Sequence, residues 1–321
     1  MQQTSGTESG ARDHGGGLDA AAARFGGTRS DWIDLSTGIN PRPYRISGFA
    51  PDDWTALPDR LAFARLDRAA RAFWRVPDTC NVLAAPGASA LIARIPALAA
   101  PGRVRIDQPT YNEHGAAFAA QAWHVTEGSD GEADARVIVH PNNPDGRVWS
   151  DSDADAPLTV IDESFCDTMP GQSLVALAER PGVIVLKSFG KFWGLAGLRL
   201  GFAIAHPDTL NPLAEMIGPW AVSGPALRIG AAALTNPAWA ADTRTRLAQD
   251  AARLDAMMAQ AGAEAPCGTD LFRLYRVDDA QAWQERLARH YIWTRIFPWS
   301  DTLIRLGLPD GDGWSRLKDA L

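Results

Sequence analysis

The sequence predicts an α/β fold: a covered, mostly parallel sheet followed by a smaller α+β lobe. Three observations carry this. From about residue 80 to 205, short apolar runs alternate with helix-like stretches, the order of a sheet flanked by helices. Several of those runs are apolar on both faces, as strands covered on both sides must be. After His206 the alternation gives way to long helical stretches, and then to a short strand, helix and strand.

The elements follow in order. The short run NVLAA precedes a glycine turn, and GRVRID (102–107), AWHVT (122–126), ARVIVH (135–140), PLTVID (157–162), GVIVLK (182–187) and LGFAIAH (200–206) read as strands. ASALIARIPALAA (88–100) and SLVALAER (173–180) read as helices between them. LAEMIGPWAVSGPALRIGAAAL and WAADTRTRLAQDAARLDAMMAQAG are largely helical. FRLYRV, AWQERLARH and TLIRLGL complete a small lobe. There is no internal repeat, and GGG at 15–17 reads as a local loop. The expected division is a tail and arm (1–40), a large lobe (41–240) and a small C-terminal lobe (241–321).

Composition narrows the function. Of 321 residues, 46% are hydrophobic and 21% charged, an ordinary globular mix. A formal net charge of -7 argues against a nucleic-acid binder with a broad basic face, while leaving room for a local basic pocket. No apolar run reaches membrane-spanning length. The opening MQQTSGTESGARD lacks an apolar core and reads as a tail, not a signal peptide. Cys80, Cys166 and Cys267 are far apart and without CxxC spacing, so they read as reduced thiols of a cytoplasmic protein, with no metal site.

Four motifs carry chemistry. PGAS (86–89) is a glycine turn opening into a helix, whose first N–H groups and dipole suit a phosphate. PNNPDG (141–146) puts an amide at a strand's C-terminal end, where open α/β sheets hold their ligands. TVIDES (159–164) puts Asp162 at another strand end. Ser188-Phe-Gly-Lys191 sets one lysine among apolar residues and glycines, with Arg199 eight residues beyond. Buried unpaired amines are costly, and a desolvated lysine becomes a nucleophile toward carbonyls. Each motif alone has an ordinary reading: a turn, a helix cap, an ion pair.

Together, and in this order, the motifs resemble those of the fold type I pyridoxal-phosphate enzymes, the aspartate aminotransferase superfamily. The likeness runs from about His14 to the end. It implies a seven-stranded, mostly parallel sheet in the large lobe and pyridoxal 5′-phosphate as cofactor. Lys191 would hold that cofactor covalently. Gly87, Ala88, Ser89, Ser188 and Arg199 would bind its phosphate, Tyr111 would stack on its ring, Asn143 would bond the ring 3′-oxygen and Asp162 would pair with the ring nitrogen.

Within the superfamily the chain looks closest to the branch of histidinol-phosphate aminotransferase and threonine-phosphate decarboxylase. The HGG start at His14–Gly16, the INP turn at Asn40 and the strand TLIRLGLP resemble the decarboxylase side. Phe165 stands where the aminotransferases usually have a tyrosine. The resemblance implies decarboxylation of L-threonine O-3-phosphate for cobalamin, with transamination of a histidinol-phosphate type as the alternative and a non-catalytic relative as a third. Arg305 would face the substrate carboxylate. His14, Gly16, Asn40 and Arg147 are the other candidates for holding this phosphorylated amino acid. The family's two-fold interface implies a homodimer. Three departures stand out: Gly17 where Asn is common, Asp145 for the Thr of NPTG, and Leu57-Pro58-Asp59 for a Tyr-Pro-Asp segment whose tyrosine crosses to the neighbouring subunit.

Overall fold

The structure, a computed structural model, describes residues 14–128 and 132–321; the tail reading of residues 1–13 lies outside them. The strands are β1 (Ile33–Asp34), β2 (Asn81–Ala85), β3 (Arg103–Ile106), β4 (His124–Thr126), β5 (Ala135–Val139), β6 (Leu158–Asp162), β7 (Val183–Ser188) and β8 (Gly201–Ala205). Further along come β9 (Glu264–Thr269), β10 (Phe272–Arg276), β11 (Ile292–Trp293), β12 (Arg295–Phe297) and β13 (Ser300–Gly307).

The large sheet has seven strands in the order β2-β8-β7-β6-β5-β3-β4. Its pairings are parallel from β7 to β4, and β8 alone runs against both its neighbours. Hence β2 runs in the same sense as β7, and the C-terminal ends of β2, β7, β6, β5 and β3 share one edge. Every residue of β5, β6 and β8 is buried. Side chains alternate between faces, so Ile161, Val185 and Phe202 join the core on one side. Val160, Ile184 and Ala203 join that on the other.

Two expected helices take another form. The stretch 88–100 is a short α-helix, Ala88–Ile92, and then a 3-10 turn, Ile95–Leu98. Pro96 has no N–H to give and its ring would crowd the preceding turn. Residues 173–180 form a 3-10 stretch, Val175–Glu179. Its entrance is tied elsewhere: Leu174 N–H donates to Glu163 Oε1 at 2.5 Å.

The helix Pro237–Gln260 starts where Asn236 accepts from Trp239 N–H at 3.1 Å, and Pro237 pre-sets its first turn. It buries Leu247, Ala251, Leu254 and Met258, one stripe at helical spacing. Behind it, β12-β13-β10-β9 form an antiparallel sheet. The N-terminal segment docks here: β1 pairs in parallel with β11, and Leu18, Ala21 and Trp32 pack against Ala288. The sheet that carries Arg305 thus meets the residues that follow His14. No helix among the described residues is long and apolar enough to cross a membrane. All three cysteines are free.

Candidate active site

The shared edge of the large sheet gathers most of the motif residues. Ala88, Ser89, Tyr111, Asn143, Asp162, Ser188, Lys191 and Arg199 line one cavity of ≈160 Å³. Adjacent β-strands supply them because each loop leaves the sheet at the same end.

At the β2 end, Gly87 turns the chain with φ 87° and leaves the following helix without a side-chain cap. Arg199 packs onto this turn. A methyl group on Gly87 would lie 2.5 Å from its Nη2. That same nitrogen donates to Ser89 Oγ at 3.0 Å. Gly201 lets the start of β8 press on Ala88, since a Cβ there would sit 2.3 Å from the Ala88 nitrogen. A guanidinium, the Ser89 and Ser188 hydroxyls and first-turn N–H groups therefore converge, which suits a phosphate dianion. Gly87 itself stands behind the wall as a spacer.

Asp162 is buried. Its Oδ2 lies 2.8 Å from His114 Nε2, and its Oδ1 accepts from Ser164 N–H at 2.9 Å and Ser164 Oγ–H at 2.5 Å. Burial pushes its carboxyl upward, but the bonds from His114 and Ser164 outweigh it and hold the group below the usual carboxylate range. It is a fixed anion inside the cavity. Lys191 goes the other way. Burial, reinforced by the Arg305 and Arg199 charges, lowers its amine to about 8 despite the attraction of Asp162. Its Nζ stands 5.2 Å from the centre of the Phe165 ring.

A second cavity of ≈380 Å³ opens beside the first and shares Lys191, Tyr111, Asn143 and Phe165 with it. His14, Gly15, Arg295 and Arg305 line it. Arg305 is buried; one Nη donates to Asn143 Oδ1 and the other to Ser36 O at 2.6 Å, while its Nε has no partner among the described residues. With its oxygen taken, Asn143 keeps its amide N–H groups for the cavity. Burial and the Arg295 charge lower the Arg305 guanidinium to about 9. The two arginines are directly opposed, Arg295 on β12 and Arg305 on β13.

Three candidates for the substrate site stand outside the linings of the two cavities. Asn40 is buried away from both cavities. It holds the Lys191 turn, giving its N–H to Lys191 O at 3.0 Å and its amide to Phe192 O at 2.8 Å. Its oxygen accepts from Arg246. Arg147 is exposed over the Trp149 ring, 4.4 Å from its centre, and lines neither cavity. Gly16 is taken up by Ser36 Oγ and the Trp293 indole, and Gly15 lines the cavity instead. His14 does line it, paired with Glu113 at 2.9 Å. Sequence reasoning passed over His114 and Arg295. His114 stands three residues after Tyr111, in the first turn of the helix Asn112–Ala120 that Tyr111 precedes, a readable spacing. Arg295 had no signal apart from its strand partner.

The set fits pyridoxal 5′-phosphate. It offers a dianion cradle at one end, an amide donor and a buried carboxylate in the middle, and a lysine amine with a lowered pKa beside them. The matching family model is that of the class I and II aminotransferases, over residues 52–306, and the chain belongs to that family with the fold type I architecture. Its similarity to individual proteins is more specific. It is 40% identical to a threonine-phosphate decarboxylase of Sinorhizobium sp, over 96% of this chain and 97% of that one. It is 37% identical to a threonine-phosphate decarboxylase of Pseudomonas aeruginosa, over 96% and 97%. Its fold matches the crystal structure of the histidinol-phosphate aminotransferase from Clostridium acetobutylicum with a TM-score of 0.76 at 17% identity, covering 89% of this chain and 97% of that one.

Proposed function

We propose that the protein decarboxylates L-threonine O-3-phosphate to (R)-1-amino-2-propanol O-phosphate and carbon dioxide, a step toward cobalamin. The observation that carries this is the opposed pair Arg295 and Arg305 beside Lys191. Two guanidinium groups in one cavity suit a substrate with two anionic groups, and a phosphorylated amino acid has a carboxylate and a phosphate. The names of the two bacterial relatives point to the same substrate.

In this reading Arg305 takes the carboxylate and Arg295 the phosphate, with His14 at its side. Bound pyridoxal phosphate supplies an electron sink conjugated to the substrate's α-carbon. Asp162 holds a proton on the ring nitrogen, and His114 holds Asp162. Arg305 orients the carboxylate so that its bond to the α-carbon breaks in preference to the Cα–H bond. Lys191 then delivers a proton to the α-carbon. Phe165 walls the lysine with an apolar ring and offers no hydrogen bond.

The lobes are proposed as expected, 41–240 and 241–321 with an arm before them, which the separate seven-stranded and four-stranded sheets support. A cytoplasmic homodimer is proposed as well. Trp54, Leu57, Leu61 and Trp220 are exposed apolar residues near one another in sequence or pocket, a surface suited to a second copy. The test of function is product analysis. Threonine phosphate should give carbon dioxide with no 2-oxo acid acceptor present. Conversion to a keto acid, with dependence on such an acceptor, would replace this reading by transamination.

A further inference from the structure

Strand alternation turns Glu163 and Lys187 to the face opposite Asp162, into the core. Lys187 Nζ donates to Glu163 Oε2, which also accepts from Ser173 Oγ at 2.7 Å. Lys187 Nζ lies 3.9 Å from Asp167 Oδ1. Asp167 takes two indole N–H groups, from Trp74 at 2.8 Å and from Trp193 at 2.9 Å. Glu163, Asp167, Lys187, Trp74 and Trp193 are buried, and Ser173 is half-buried. None of them lines either of the two cavities, and the proposed reaction uses none.

Their places in the chain connect them to it. Glu163 follows Asp162, Lys187 precedes Ser188, and Trp193 is two residues past Lys191. Asp167 is two residues past Phe165, whose ring faces the Lys191 amine. The network thus ties the loop after β6 to the turn after β7. Trp193 is clamped besides, stacked between Phe189 at 5.1 Å and Trp239 at 5.2 Å. Buried ion pairs often stabilise less than an apolar core of the same shape. Their directed bonds fix one relative placement of two segments, which apolar contacts do not.

We propose that Asp167, acting through Trp193 and the Lys187–Glu163 pair, is a positioning residue that holds the Lys191 turn against the Asp162 strand end. The inference deepens the proposed reaction and rests on that reading for its catalytic consequence. Its structural core stands on the chain's own geometry. The charged groups felt by the Lys191 amine are Arg305, Asp162, Arg199 and Asp34. A loosened turn hydrates the amine and moves it away from the two arginines, so its proton affinity rises.

The test reads Lys191 in the cofactor-free full chain. Acetylation of Lys191 by acetic anhydride, followed by mass spectrometry across pH, should show a midpoint near 8 in the wild type. Asp167→Asn puts an amide donor against one of the indole N–H groups, and its midpoint should rise by about one unit or more toward the ordinary value. Trp193→Phe keeps an aromatic ring in the stack but loses the N–H bond and part of the indole's volume; it should shift the same way by less, and it decides the matter if Asp167→Asn does not fold. In the loaded protein, Asp167→Asn should lower kcat by about tenfold or more, with KM changed by less than about threefold. Midpoints unchanged from wild type in the folded variants, whatever their melting temperatures, overturn the proposal. Lys191 labelling needs no substrate. A shifted midpoint in a protein that transaminates would leave this inference standing and remove the decarboxylase reading.

Discussion

A lysine amine with a pKa of about 8 is partly neutral near physiological pH, and the neutral form is the nucleophile. Because burial and two arginines disfavour its charged form, the neutral fraction grows as pH rises through that value. The rate of covalent cofactor capture by the empty protein should therefore rise with a midpoint near 8 and level off above it. A midpoint near that of a free lysine would mean that the amine is hydrated. Lys191→Ala should still bind the cofactor, release it on gel filtration, show no borohydride-fixed adduct and lose turnover. Asp162 is the opposite case, a carboxylate held ionised while buried. In the proposed reaction, Asp162→Asn removes the charge that keeps the ring nitrogen protonated. It should slow the chemical step by about two orders of magnitude or more and change substrate binding far less, as electrostatic contributions of several kcal/mol do. Stopped-flow absorbance of the bound cofactor separates the two, and an unchanged rate would reduce Asp162 to a loop anchor. These residues were legible in the sequence because each stands at a strand end in a fixed order. The structure sets Asn40 and Arg147 outside both cavity linings, because a residue near a motif need not face the cavity. Asn40 gives its N–H and its amide to the lysine turn, and its oxygen accepts from Arg42 N–H and Arg246.

At the scale of elements, the site is the C-terminal edge of a sheet, and its accuracy depends on how tightly loops pack onto strands. Gly87 is the clearest case, with a left-handed φ of 87° and Arg199 filling the space of its missing side chain. Gly87→Ala should displace Arg199 and weaken cofactor affinity by about tenfold, measured by equilibrium dialysis, while the melting temperature of the empty protein falls by only a few degrees. The strands were readable because their apolar runs are bounded by Gly, Pro and Asp. The two misjudged helices were not, because their fate turns on one proline and on one distant carboxylate. The register that sets Arg295 opposite Arg305 was invisible for a related reason. Pairing of β12 with β13 depends on a tight hairpin with an irregular register, and no local pattern announces which side chains will meet. Separate replacement of the two arginines should tell their roles apart. Arg295→Gln should raise KM for threonine phosphate while leaving binding of plain threonine unchanged. Arg305→Lys keeps the charge but loses the planar fork. It should lower kcat more than it raises KM, and allow some cofactor to leak into its amine form.

For the whole molecule, the two cavities lie where the large sheet, the small sheet and the N-terminal arm meet. Arg305 bonds to Asn143 of the first and Ser36 of the third. One guanidinium thus reaches from the loop after β5 to the arm, and the arm lines the second cavity through His14 and Gly15, the substrate wall of the proposed reaction. Removing residues 1–17 should therefore cost activity on threonine phosphate while the cofactor still loads, which absorbance and turnover together would show. The central claim concerns which bond of the substrate breaks. It is tested most directly by incubating the loaded protein with threonine phosphate labelled at the carboxyl carbon, with no 2-oxo acid present, and measuring released carbon dioxide against keto acid. The account expects labelled carbon dioxide and aminopropanol phosphate in equal amounts over many turnovers. Label retained in a keto acid, with turnover stopping after one equivalent until an acceptor is added, would contradict it.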